Sequence, residues 1–70
     1  MLTNIEIICN RLDYLCGQNE MNACDLQELK RLCAGAGVDK QFTEMYISQL
    51  CELGRLRTQN IGAHCYIFKN

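Results

Sequence analysis

Between Asp39 and Gly54 the apolar positions of the chain recur with a helical period. Phe42, Tyr46, Leu50 and Leu53 are spaced by four, four and three residues, and Ile47 and Cys51 widen the same stripe. This predicts an amphipathic helix over 39–53 with Leu50 at the middle of its buried face. Gly54 follows the last periodic residue, where glycine readily takes the left-handed conformation that closes a helix. Two shorter stripes come first. Ile5, Ile8, Leu12 and Leu15, with Cys9 and Cys16 alongside, follow Thr3-Asn-Ile-Glu6 and stop at Gly17. Thr and Glu at that spacing each satisfy a free backbone N–H of a first helical turn, so a helix is predicted over 4–16. Leu26, Leu29, Leu32 and Cys33 follow the same cap-plus-acid spacing in Asp25-Leu-Gln-Glu28, which predicts a helix over 25–34. The glycines of Ala34-Gly-Ala-Gly37 allow a sharp change of direction before Asp39, with Val38 as an anchor. Gln18-Asn-Glu-Met-Asn22 is read as a polar connection with Met21 tucked back.

Beyond Gly54 the period changes. Leu56 and Thr58 lead to Gln59-Asn-Ile-Gly62, and Ala63-His-Cys-Tyr-Ile-Phe68 is rich in aromatic and β-branched residues. Two short runs around an Asn/Gly turn predict a β-hairpin over about 55–68. In its second strand His64, Tyr66 and Phe68 share one face and Cys65 and Ile67 the other. The wider aromatic face is expected to cover the helices.

Seventy residues with 49% hydrophobic content make a single small domain, 1–70, with no room for a cleft between domains. Six cysteines, at 9, 16, 24, 33, 51 and 65, approach the density of a disulfide scaffold. Four of them fall on or beside helical stripes, where a free thiol acts as a small hydrophobe. The N-terminus lacks the basic start, continuous apolar core and cleavage site of a signal peptide. Reduced core thiols in a cytoplasmic protein are therefore expected, with disulfides and a metal site as the weaker alternatives. For metal there is no Cys-x-x-Cys, and His64 beside Cys65 lacks a second ligand pair; no metal and no cofactor are expected. No stretch approaches the length of a membrane span.

The net charge of −1 speaks against nucleic-acid binding, which usually leaves a basic footprint. Its distribution is uneven. Arg11 stands against Glu6, Asp13, Glu20, Asp25 and Glu28 in residues 1–29, while Lys30, Arg31, Lys40, Arg55, Arg57 and Lys69 stand against Asp39, Glu44 and Glu52 in residues 30–70, giving −4 and +3. Such a dipolar domain can present a basic face.

Helix, helix, turn, helix and hairpin is the order of the winged helix-turn-helix domain. The residues resemble that family in Asp25-Leu-Gln-Glu-Leu29, in Ile47-Ser-Gln-Leu-Cys-Glu-Leu-Gly-Arg-Leu56 and in Tyr66-Ile-Phe68. The resemblance covers nearly the whole chain. It implies a mainly α fold with a C-terminal β-hairpin, that is, a three-helix winged helix-turn-helix. It also implies a small prokaryotic or phage-type transcriptional regulator that places its third helix in the major groove of double-stranded DNA and its wing over the backbone. On that reading Gln41 pairs two-point with adenine, Glu44 accepts from cytosine, and Lys40 meets guanine or phosphate. Ser48 lies on the same helix face, and Arg57 and Asn60 serve as wing contacts. The alternative is a winged-helix protein-interaction module docking on a larger bacterial complex without DNA binding, which near-neutral charge and minimal size favour. Monomer and helix-mediated dimer are both open. An enzyme is not expected, because no nucleophile, base and orienting group fall together. Adjacent strand residues point to opposite faces, so His64 is badly placed to activate Cys65.

Overall fold

The computed structural model describes residues 1–70. Its elements run α1 (Asn4–Cys16), β1 (Ala23–Asp25), α2 (Leu26–Gly35), α3 (Lys40–Glu52), β2 (Leu56–Ile61) and β3 (His64–Lys69). Each helix begins at a side-chain cap. The Thr3 hydroxyl accepts from the Glu6 N–H at 3.1 Å while the Glu6 carboxylate accepts from the Thr3 N–H at 3.2 Å. Asp25 and Asp39 accept from the N–H groups of Gln27 and Gln41 at 3.0 and 2.7 Å. The capping spacing in the sequence thus reports the helix starts to within a residue.

The ends of α2 and α3 are built alike. Gly37 and Gly54 take φ of 89° and 76°. In each case the glycine N–H donates to a carbonyl three residues back, Ala34 or Cys51, and the next residue's N–H donates to Cys33 or Leu50. This paired closure satisfies the last free carbonyls. At the first site it also delivers Val38, fully buried, into the core.

The three strands form one antiparallel sheet in the order β1-β3-β2. Three helices with this sheet as the wing give the three-helix winged helix-turn-helix layout. The strand β1 follows the polar connection of 18–22, where no strand is expected, and takes in Asp25, the expected first residue of the second helix. It pairs Ala23 with Phe68, Cys24 with Ile67 and Asp25 with Tyr66. The hairpin turn also differs from expectation. Ile61 pairs with His64, so the turn is Gly62-Ala63 and Gln59-Asn60-Ile61 belong to the strand. Gly62 has φ 63° and Ala63 does not take a positive φ, the two-residue turn with glycine first that suits the twist of a hairpin.

One core holds the layers together: Ile8, Leu12, Leu15 and Cys16 from α1, Leu29 and Cys33 from α2, Val38, Ile47 from α3, and Cys24, Leu56 and Ile67 from the sheet. Three expectations are corrected here. Leu50 is half-buried at the margin of the core and Leu53 is 69% exposed, whereas Thr43 and Ile47 are the buried residues of α3. The Thr43 hydroxyl donates back to the Asp39 carbonyl at 3.2 Å, which lets a polar residue occupy the middle of the stripe. Ile5, at the start of α1, is 45% exposed. Finally, the face of β3 that covers the helices is the one carrying Cys65 and Ile67, not the aromatic one. Ile67 lies between Cys24 and Thr58 in the sheet and joins the core, so Tyr66 and Phe68 lie on the outer face of the wing.

Candidate interaction surface

The residues expected to read DNA do not form one surface. Lys40, Gln41, Glu44 and Ser48 are all exposed along α3. With 3.6 residues per turn, Gln41, Glu44, Met45, Ser48 and Glu52 make one outward row. Arg57 and Asn60 stand elsewhere, on opposite faces of the sheet, since they lie at odd and even places along β2.

The charge of that row is settled by its partners. Glu44 forms an ion pair at 2.8 Å with Lys30 of α2, whose side chain is only 14% exposed. Glu52 adds a second acid, and Lys40 at the first turn is the lone cation on the helix itself. Two further cations are engaged at a distance. Lys69 is bonded to Asp13 of α1, and this bond, outweighing the lowering by partial burial, raises the Lys69 pKa above its ordinary value. Arg57 lays its guanidinium over the Phe68 ring, 4.6 Å from the centroid, a cation–π contact on the outer sheet face. In the middle of the α3 row sits Met45, 54% exposed.

The outer sheet face carries the second feature. Met21, Ala23, Ile61, Tyr66 and Phe68, with Asn19, line an apolar recess of about 300 Å³. The loop that supplies one wall is preformed: the Asn19 amide donates to the Ala23 carbonyl at 2.7 Å and accepts from the Ala23 N–H at 3.1 Å. Nearby, His64 Nδ1 lies 3.1 Å from an Asp25 carboxylate oxygen, so one acid both caps α2 and meets the wing. No three His, Cys, Asp or Glu side chains converge in a way that could hold a metal ion. The six cysteines are free. Cys16, Cys24 and Cys33 are buried in the core, and burial pushes the Cys24 thiol up to about 12.

Two of these features escaped the sequence reading. Met45 falls four residues after Gln41 and three before Ser48, so its place on the outward row could have been found by counting. The recess could not, because it needs β1, whose three residues carry no pattern of their own. Comparisons with protein-family models, with curated proteins and with solved structures found no match, and no helix is long and apolar enough to cross a membrane.

Proposed function

We propose that this chain is a winged-helix protein-interaction module that docks on a partner protein rather than on duplex DNA. The observation that carries the reading is the outward row of α3. In a DNA reader that row would meet a polyanion, yet here it carries Glu44 and Glu52 around an exposed Met45, and Lys30 of α2, the cation that reaches it from outside α3, is already paired with Glu44. Phosphate would be repelled by the acids and would gain little from a neutralised lysine. A partly apolar, partly acidic helix face suits another protein, where methionine adapts to an irregular apolar surface.

A DNA-binding regulator is the second reading, favoured by Lys40 and Gln41 at the start of α3 and by Arg57 on the wing. A retardation assay on random duplex DNA at low salt separates the two. The docking reading expects no salt-sensitive binding. Salt-sensitive binding whose slope falls by about one on Arg57→Ala, with base preference relaxed on Gln41→Ala, would establish the DNA reading instead.

A further inference from the structure

One edge of the sheet is the three-residue β1 and the other is β2, which apart from the charge of Arg57 lacks the features that normally protect an edge. Its six residues pair with β3 without a bulge, from Leu56 with Lys69 to Ile61 with His64. The chain contains no proline, and Arg57 through Ile61 are all exposed. Edges of this kind usually carry a bulge, a proline, inward charges or a covering element. The hydrogen-bond phase of the edge is fixed as well. Asn70 donates its N–H to the Arg55 carbonyl at 3.2 Å, so the residues at odd positions along β2 turn their backbone groups toward β3. In an antiparallel ladder the alternate residues then turn theirs the other way. Leu56, Thr58 and Asn60 therefore present N–H and C=O together to the open side.

Charge selects the occupant. Arg57 lies on the outer face, whereas Arg55 lines a recess with Tyr46 and Leu50 on the helix side, and no acid lies between Gly54 and Ile61. A second copy added through the same edge would bring a second Arg57 to it. An acidic segment is complementary. Ile61, 47% exposed, lies four residues beyond Arg57 on the same outer face, at the margin of the apolar recess it helps to line.

Deepening the protein-docking reading and resting on it, the geometry points to β2 as the site where an extended partner segment adds as a fourth strand. Run antiparallel, that segment has an apolar residue opposite Ile61 and an acidic residue opposite Arg57, the pattern apolar-x-x-x-acid. Main-chain bonds to Thr58 and Asn60 supply the attachment, and the alternate side chains supply the choice of sequence.

The test is a titration of the isotope-labelled full chain followed by amide NMR, with the capped peptide Ile-Thr-Thr-Thr-Glu-Val-Thr and its counterpart with lysine in place of the glutamate. The acidic peptide should give saturable shifts centred on the Thr58 and Asn60 amides, with the lysine peptide at least roughly fivefold weaker. Thr58→Pro should abolish the response. Its N–H faces the open side, so the hairpin keeps its own bonds, and an otherwise unchanged spectrum verifies that. Absent shifts, equal response to the two peptides, or binding that survives Thr58→Pro overturns the edge proposal. Concentration-dependent protection of the same amides in the protein alone also overturns it, in favour of a second copy. The docking reading itself fails separately, if random duplex DNA shifts the α3 amides in a salt-sensitive way.

Discussion

At the scale of single residues, the position of a side chain on its helix sets its energetic weight. Ile47 is 2% exposed and belongs to the central core, whereas Leu50 packs against that core from its margin. Ile47→Ala should cost about 2–5 kcal/mol, because a buried side chain loses its burial and leaves a cavity. Leu50→Ala should cost only about 1–2 kcal/mol, since solvent can fill part of the gap. Urea denaturation of the two variants checks the order, and equal or reversed costs would mean that the buried face of α3 is misplaced. The helix itself was plain in the sequence, but its buried face was read about one position off. Thr43 looks polar in a pattern of apolar and polar letters, yet its methyl group packs and its hydroxyl bonds the preceding turn. The outward side chains Lys40, Gln41, Glu44 and Ser48 were legible for the converse reason, since nothing apolar interrupts them except Met45.

At the scale of elements, the helices were legible because their caps are local. Thr3, Asp25 and Asp39 act within three residues of themselves, and a chain read in order contains all of that information. The sheet depends on pairing between distant segments. β1 exists because Cys24 meets Ile67 across more than forty positions, and that pairing, not aromatic size, decides which face of β3 goes inward. Glu44 lost its availability in the same way, to a lysine on another helix. Asp25 ties local and distant structure together. One carboxylate oxygen caps α2 through the Gln27 N–H and the other meets His64. Asp25→Ala should therefore cost roughly 1–2 kcal/mol through the lost cap, while His64→Ala, which removes only an exposed contact, should cost less than about 0.5 kcal/mol. Thermal melts of both variants would show it, and a His64→Ala effect as large as that of Asp25→Ala would shift the main role of the acid from the helix to the wing.

At the scale of the whole molecule, the thiols of the core make stability depend on pH from the alkaline side. Burial raises the pKa values of Cys16, Cys33 and Cys51, and it raises that of Cys24 from 9.0 to about 12, with further upward pushes from Cys16 and Glu28. Once the chain unfolds, these thiols return to ordinary ionisation near pH 9.0. The folded state thus holds its thiol protons where the unfolded state would release them. For such a raised pKa the stabilising contribution is fully present below pH 9 and is lost as pH climbs toward 12. From Cys24 alone the loss by about pH 10 is roughly 1 kcal/mol, a sizeable share of the stability of a domain this small. Denaturant midpoints measured in reducing buffer at about pH 8 and about pH 10 should fall in the wild type and fall less in Cys24→Ala. That variant starts lower because it leaves a small cavity, but it has one thiol fewer to ionise on unfolding. An unchanged difference between the two pH values in wild type and variant would mean that Cys24 ionises alike in both states and is not sealed inside the sheet–helix core.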